Sequence, residues 1–220
     1  MVTRRIPLVE GEIYHIFSKS IAGFEIFRNN SEYERMRGLL KYYKIKNPPL
    51  RFSMFLEVKN KEKFYQKHFM KNKNLVEIIT YCFMPTHTHL ILKQTKYNGV
   101  SIFMSNILNS YTRYFNVKTK RKGPLWESRF KNVLLRTDEQ LLHVIRYVHL
   151  NPVTAHLVEK PQDWKFSSYK EFVGEIDEQE RICSYSGVLD IDPKSYKKFV
   201  DAQTDYQREL AEIKKLFLES

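Results

Sequence analysis

The chain has 220 residues, enough for one large domain, or one domain with a small extension, to bury its own core. With 42% hydrophobic residues and only two cysteines, it is neither a disordered chain nor a disulfide-stapled secreted domain. The net charge is +12, and residues 1–136 hold 26 of the 37 basic residues but only 9 of the 25 acidic ones, which predicts a polyanion-binding front and a less involved tail. The low cysteine count also makes a reducing cytosol the expected compartment. No apolar run of about 18 residues occurs, so a membrane protein is set aside.

The first third of the chain predicts a strand followed by helices. Alternation in residues 11–20 predicts a strand with Ile13, His15 and Phe17 on one face. Ser31-Glu32-Tyr33-Glu34 forms a capping box, and the helix after it ends before Pro48. The lysine-rich stretch that follows is consistent with a short strand at 52–57 and a short helix at 61–69.

The middle of the chain predicts a hairpin and two long helices. Residues 75–83, LVEIITYCF, predict a central strand, and residues 87–94 return as a second strand after a Met-Pro-Thr turn. An amphipathic helix is expected at 102–115, and a fourth strand at 125–135. Thr137 begins a second capping box, and its helix is expected to run to about Leu150.

This order of elements predicts the α+β class: a ferredoxin-like antiparallel sheet with helices packed on one face, plus a mostly helical C-terminal extension. The extension includes a helix expected at 193–218. We therefore expect two units, a core domain at 1–172 and the extension at 173–220.

The charge pattern favours nucleic acid as a partner. The basic stretches 41–73 and 113–136 both interleave Tyr, Phe or Trp with Lys and Arg, which suits contacts to phosphates and stacking on unpaired bases. A solvated lysine-rich surface explains either stretch alone equally well. Two such stretches in one small protein favour nucleic-acid binding.

One group of residues has the spacing of a catalytic site. His87 and His89 lie two apart on a predicted strand, so both imidazoles leave the same face and can share a divalent ion. Tyr147 and Asn151 lie four apart on one helix face. Three purely structural roles stay open at this point: a structural histidine pair, a half-buried core tyrosine, and an asparagine C-cap before Pro152.

Several strings resemble the single-tyrosine transposases that carry a His-hydrophobic-His motif, the HUH transposases. YCFMPTHTHLIL resembles the segment with the histidine pair, and RYVHLNPVTAHLV resembles the segment with the nucleophilic tyrosine. GPLWESRFKNVLL, DWKFSSYKEF and YHIFSKSIAGFEIFRNNSEY are also similar to this family, especially to REP-associated tyrosine transposases and related insertion-sequence transposases. The resemblance covers residues 11–172, with the motifs in family order.

The resemblance implies a metal-dependent transposase that cleaves and rejoins single-stranded DNA through a 5′-phosphotyrosine. Carried over by position, Tyr147 is the nucleophile and His87 and His89 are metal ligands. Asn151 stands where some relatives have a glutamine that completes the site. The residue between the histidines is usually bulky and apolar, whereas here it is Thr88. The expected cofactor is Mg²⁺ or Mn²⁺.

The expected partner is single-stranded DNA with hairpin, or palindromic, structure in the prokaryotic cytosol. Relatives occur as monomers and as homodimers, and both are open here. The residues expected to contact DNA are basic, apart from one tryptophan: Arg113, Lys118, Lys120, Arg121, Lys122, Trp126, Arg129 and Lys131.

Two other functions remain as alternatives. A domesticated nucleic-acid-binding protein would keep the fold without cleavage, which the Thr88 departure permits. A zinc enzyme acting on a small molecule would add Cys82 or His15 to the histidine pair, but it leaves the basic excess unused.

Overall fold

The computed structural model describes residues 7–69, 73–185 and 187–203. Its centre is a four-stranded antiparallel sheet in the order β2-β3-β1-β4. The strands are β1 Ile13–Lys19, β2 Val76–Met84, β3 His87–Gln94 and β4 Lys131–Leu135. The predicted α+β class with an antiparallel sheet is confirmed.

Within the described residues, six α-helices accompany the sheet, and residues 193–203 are also helical. They are α1 Asn30–Tyr43, α2 Phe52–Leu56, α3 Lys61–His68, α4 Gly99–Lys118, α5 Asp138–Thr154 and α6 Tyr169–Phe172. Within the described ranges, no helix is both long enough and apolar enough to cross a bilayer.

The helices occupy both faces of the sheet rather than the one face that was expected. On β3, Leu90 and Leu92 pack with α1 and α4, whereas Ile91 belongs to the separate core cluster of α5. Successive side chains of a strand point to opposite faces, so these two clusters lie on opposite sides. Strand β2 is an edge strand of the sheet rather than the central strand that was expected. It is nevertheless buried along nearly its whole length, because both of its faces are covered.

The expected strand at 52–57 is wrong, because these residues form α2. Phe52 and Phe55 lie three apart and both rings contact Tyr42, with centroids 5.3 and 4.8 Å away. That spacing puts both rings on one side of a helical turn, whereas a strand would point them to opposite faces. The expected helix at 61–69 is confirmed as α3.

The fourth strand is shorter than expected and begins only at Lys131. Leu125 and Phe130 are both buried in the core cluster of α1 and α4. Five residues apart, they cannot share one face of a regular strand, so the chain bends between them. In place of a regular strand, an isolated antiparallel bridge joins Ser20 to Trp126.

Helix α5 begins as predicted and ends later than predicted. The Thr137 side chain accepts a hydrogen bond from the backbone N–H of Gln140, which is the predicted N-cap contact. The helix continues through Pro152 to Thr154, because Leu150 and Val153 on either side of the proline are buried in the core. Tertiary packing here outweighs the missing proline N–H.

The C-terminal part packs against α5. The hydroxyl of Tyr196 lies 2.6 Å from Nδ1 of His149, and Val200 is buried in the same core cluster as α5. The described residues of the expected helix at 193–218 are helical to residue 203, and residues 204–220 lie outside the described ranges. The division into a domain at 1–172 and an extension at 173–220 stays a prediction.

Candidate active site

Strands β1 and β3 present three histidines on the face of the sheet that α5 also covers. His15 and Phe17 leave β1 on the same side as His87 and His89 leave β3. The strand register places Phe17 directly opposite His89, and Lys19 directly opposite His87. The predicted histidine pair therefore gains a third imidazole as a neighbour.

Neighbouring side chains hold the rings of the histidine pair through one nitrogen each. His15 Nε2 and His89 Nδ1 share a hydrogen bond of 3.0 Å, with the two rings stacked. His87 Nδ1 lies 3.0 Å from Thr86 Oγ1, and the rings of His87 and His89 meet edge to face with centroids 5.1 Å apart. Within the described residues, Nε2 is the ring atom that each histidine of the pair has left for a ligand.

Burial keeps all three imidazoles neutral. It lowers the pKa of His15 and of His87 to about 4, and the positive charge of Lys19 adds to the effect on His87. Burial lowers the pKa of His89 to about 2, with further contributions from His15, His87 and Lys19. At neutral pH each ring therefore offers a lone pair, which is the form that binds a metal ion.

Helix α5 holds Tyr147 at the boundary between the core and solvent. Ile145 and Val148 are fully buried, whereas Tyr147, which lies between them in the sequence, is 47% exposed. The tyrosine ring lies nearly perpendicular to the rings of His89 and His15, with centroid distances of 5.8 and 6.2 Å. The phenol and the imidazoles thus form one site within a single chain.

Asn151 lies one turn after Tyr147 on the same helix. Its Nδ2 donates a hydrogen bond of 2.9 Å to the backbone carbonyl of Tyr147. Because α5 extends to Thr154 with Ala155 as its C-cap, the alternative role of Asn151 as a C-cap is wrong. Its Oδ1 is the atom that would bind a cation.

The donor atoms of this site fit a divalent cation. Within the described ranges, no three His, Cys, Asp or Glu side chains form a cluster suited to a metal ion. His87 and His89 supply two neutral nitrogens, and Asn151 offers a carboxamide oxygen. If a divalent cation bound here, His87 and His89 would hold it through nitrogen and Asn151 is the expected oxygen donor, a mixed set that Mn²⁺ accepts readily.

The geometry disfavours Cys82 as the third ligand of the alternative zinc site. Cys82 lies opposite His89 on β2. However, complete burial raises the pKa of the Cys82 thiol well above its usual range, and zinc binds the thiolate. The sulfur is instead packed 3.8 Å from the sulfur of Met84.

The eight residues expected to bind DNA lie on α4, in the loop after it, on the segment that leads into β4 and at the start of that strand. Arg113 and Lys118 line a cleft of about 1100 Å³ beside α4, and Trp126 and Arg129 line a second cleft of about 990 Å³. Lys131 is exposed on β4. The other three, Lys120, Arg121 and Lys122, lie in the loop after α4.

Two of these eight residues have roles in the fold. The ammonium of Lys118 lies 3.2 Å from the carboxylate of Glu32, which is fully buried. The indole N–H of Trp126 donates to the carbonyl of Leu108 at 3.3 Å, and its ring packs against the core. DNA contacts by all eight residues stay predictions.

Two contacts of the histidine pair do not follow from local sequence patterns: that of His15 with His89 and that of Thr86 with His87. The sequence suggests only a zinc ligand at His15 and a turn at Thr86. Alternation placed His15 on a face with Phe17, but the register that brings it beside His89 is set by pairing with β3. The sequence signal for this contact was His15 itself, a histidine at an inward position of an apolar strand.

The family model "Transposase IS200 like" matches residues 40–151, just over half of the chain. The chain belongs to the IS200-like transposase family. The matched region contains the histidine pair, Tyr147 and Asn151. The resemblance to single-tyrosine transposases in the sequence motifs is thereby confirmed.

Two individual proteins are similar to this member of the family. A curated protein of Haemophilus influenzae, named as a REP-associated tyrosine transposase, is 27% identical over 103 residues. The match spans 42% of this chain and 58% of that protein's length. The solved structure of a REP-associated tyrosine transposase bound to a REP hairpin has a TM-score of 0.53 and 16% identity, over 87% of this chain and 95% of that one. That likeness establishes a shared fold.

Proposed function

We propose that this chain cleaves and rejoins single-stranded DNA at hairpin, or palindromic, elements, with Tyr147 as the nucleophile. The observation that carries the proposal is the placement of the half-exposed Tyr147 ring 5.8 Å from that of His89, inside the region matched by the transposase family. A tyrosine that faces two neutral imidazoles, with a carboxamide one helical turn further on, suits phosphoryl transfer to a phenol.

The proposed substrate rests on the basic charge of the chain and on the structural similarity to a solved relative. The front of the chain carries most of the basic residues, as a phosphate-binding protein requires. The solved relative of the same fold is bound to a REP hairpin, which supports a hairpin as the partner here. Action in the prokaryotic cytosol stays a prediction.

The proposed cleavage step balances without a nucleotide cofactor. The phenolic oxygen of Tyr147 bonds to phosphorus as the bond from phosphorus to the 3′ oxygen breaks. The phenolic proton passes to water, and the leaving 3′ oxygen takes up a proton. The protein then holds a 5′-phosphotyrosine, and a later 3′-hydroxyl reverses the step to rejoin a strand.

We assign a divalent cation, Mg²⁺ or Mn²⁺, to His87, His89 and Asn151. When bound, such an ion polarises the phosphate and stabilises the charge that develops on it. The chain's own part is to keep both imidazoles neutral through burial and to engage Nδ1 of each, which leaves Nε2 for the ion. Because two of the proposed donors are nitrogen, Mn²⁺ is expected to support cleavage well.

A single chain is proposed to be sufficient for cleavage. Tyr147 already lies beside His89 and His15 of the same chain, so α5 need not be exchanged between subunits. A homodimer stays a prediction.

Covalent capture tests the proposal. Full-length protein is incubated with Mn²⁺ and a labelled strand carrying a hairpin from the DNA flanking its own gene, and adducts are resolved on a denaturing gel. We expect an adduct with the parent protein and with Tyr97→Phe, whose ring is 79% exposed away from the site, but none with Tyr147→Phe. DNA binding without an adduct from the parent would favour the domesticated binder. An adduct that survives Tyr147→Phe would remove the assigned nucleophile.

A further inference from the structure

We propose that Phe17 is the stacking platform for an unpaired nucleobase next to the cleaved phosphate, and that Lys19 and Lys131 hold the backbone of that nucleotide. The inference deepens the proposed function, because the position of the phosphate rests on it. We call the four residues Phe17, Lys19, Lys131 and Val133 the β1–β4 shelf.

The strand register places Phe17 at the centre of this shelf. It is paired with His89 on β3 and with Lys131 on β4. Directly paired residues of antiparallel strands project to the same face with their Cβ atoms about 5 Å apart. Phe17 therefore lies between the candidate catalytic site and a cation.

The shelf is open where the rest of this sheet face is covered. Helix α5 packs over β2 and over Ile91 of β3. On β4, by contrast, Val133 is 44% exposed and Lys131 is exposed, although they are paired with His15 and Phe17 of the neighbouring strand β1. Phe17 itself is half-buried. An apolar strip thus continues from the histidines toward solvent.

The charge around the strip is complementary to a nucleic-acid backbone. Lys19 and Lys131 are both exposed, and within the described residues neither ammonium forms an ion pair. Lys19 is close enough to His87 for its charge to lower the pKa of that imidazole. Lys19 lies two residues from Phe17 along β1, and Lys131 is paired with Phe17 on β4. None of the four shelf residues is acidic. A phosphate on each side of a stacked base would meet one of them.

The distances match one nucleotide. The Phe17 ring centroid lies 6.2 Å from that of His89 and 5.5 Å from that of His15. A base on Phe17 would therefore belong to the nucleotide that carries, or directly follows, the phosphate at the histidine pair. Every base has an aromatic face, so this platform selects an unpaired base without selecting its identity.

The test couples the ring to one base. Binding of a hairpin strand is measured in EDTA with full-length protein carrying Tyr147→Phe, so that cleavage plays no part. Phe17→Leu keeps an apolar side chain without the ring, and Phe17→Trp keeps an aromatic one. We expect Phe17→Leu to weaken binding roughly 5- to 150-fold, and Phe17→Trp to restore it.

The same strand is then made with an abasic nucleotide at each position around the cleavage site. At one position the abasic strand should lose as much affinity as Phe17→Leu, and the two changes together should lose no more than either alone. Independent losses at every position, or no loss with Phe17→Leu, would overturn the platform. Substituting each of the four bases at that position should change affinity little.

A fluorescence measurement keeps the test independent of how the variants fold. With Phe17 in place, the fluorescence of 2-aminopurine at the coupled position should change on binding, because the base leaves its neighbours for the ring, and at distant positions it should not. No change at any position near the cleavage site contradicts the proposal. Since none of these readouts needs a covalent adduct, failure of Tyr147 chemistry and failure of the platform are distinguishable.

Discussion

At the scale of single residues, His15 gives His89 a defined tautomer. If His89 binds a cation through Nε2, its remaining proton must lie on Nδ1, 3.0 Å from His15 Nε2. His15 then accepts that hydrogen bond and carries its own proton on Nδ1. Because burial lowers the pKa of both rings to about 4 or below, this neutral pair persists at physiological pH.

Loss of this acceptor is expected to weaken metal binding. Removing a hydrogen-bonding partner of a metal ligand typically costs 10- to 100-fold in affinity, so His15→Ala should weaken Mn²⁺ binding by roughly that factor. His15→Gln keeps an oxygen acceptor near the position of Nε2 and should recover part of it. Titration followed by electron paramagnetic resonance measures the affinity, with His156→Asn, an exposed histidine, as the control. Equal affinity of His15→Ala and the parent would contradict this assignment of tautomers.

The residues that could be predicted are those whose spacing is local. The two-residue spacing of His87 and His89 and the four-residue spacing of Tyr147 and Asn151 each fix a shared face. That both faces meet was suggested by the family resemblance, because no spacing relates position 89 to position 147. His15 and Phe17 escaped, since only the pairing of β1 with β3 makes them neighbours of the site.

At the scale of elements, a buried ion pair links α1 to α4. The Glu32 carboxylate of α1 is fully buried and lies 2.8 Å from Arg28 and 3.2 Å from Lys118 at the end of α4. Burial opposes its ionisation, but hydrogen bonds from Arg28 and Lys118 outweigh this and lower its pKa. Lys118 therefore neutralises a charge inside the protein, in addition to any contact with DNA.

Removing the Lys118 charge is expected to cost stability. Lys118→Met leaves Glu32 with Arg28 as its cation and should lower the free energy of unfolding by about 1–3 kcal/mol. Lys122→Met removes an exposed charge from the following loop and should change it by less than about 0.5 kcal/mol. Urea denaturation of the three proteins gives the comparison. A Lys118→Met protein as stable as Lys122→Met would show that Arg28 alone satisfies the carboxylate.

Elements with strong local signals were predicted, and those shaped by distant contacts were not. The hairpin of β2 and β3, helix α4 and the N-cap of α5 follow from periodicity, a turn and a capping residue. The strand expected at 52–57 is helical because Phe52 and Phe55 pack on Tyr42 of α1. The covering of both sheet faces was foreshadowed by the unbroken apolar run of β2, which is typical of a strand buried on both sides.

At the scale of the whole molecule, a buried polar network joins the sheet, α5 and the C-terminal helical segment. His149 of α5 is fully buried. Its Nε2 lies 2.8 Å from the hydroxyls of Thr80 on β2 and of Ser168, and its Nδ1 lies 2.6 Å from the hydroxyl of Tyr196. Because His149 is two residues from Tyr147, this network also anchors the helix that carries the candidate nucleophile.

The network predicts a loss of stability in mild acid. Burial lowers the pKa of His149 to about 3, so between about pH 6.5 and pH 3 the unfolded chain binds a proton that the folded chain does not. The free energy of unfolding must then fall as the pH falls, by about 1.4 kcal/mol per pH unit for this histidine, with no contribution above pH 6.5. His149→Gln is expected to be less stable at pH 7, but its free energy of unfolding should fall less steeply from pH 6 to pH 4. The two slopes should differ by about 1.4 kcal/mol per pH unit.

Urea denaturation across this range measures both slopes, and the groups that titrate in both proteins cancel in the difference. His156→Asn should keep the parent slope, and a parent slope in His149→Gln would mean that the buried ring takes up its proton without unfolding.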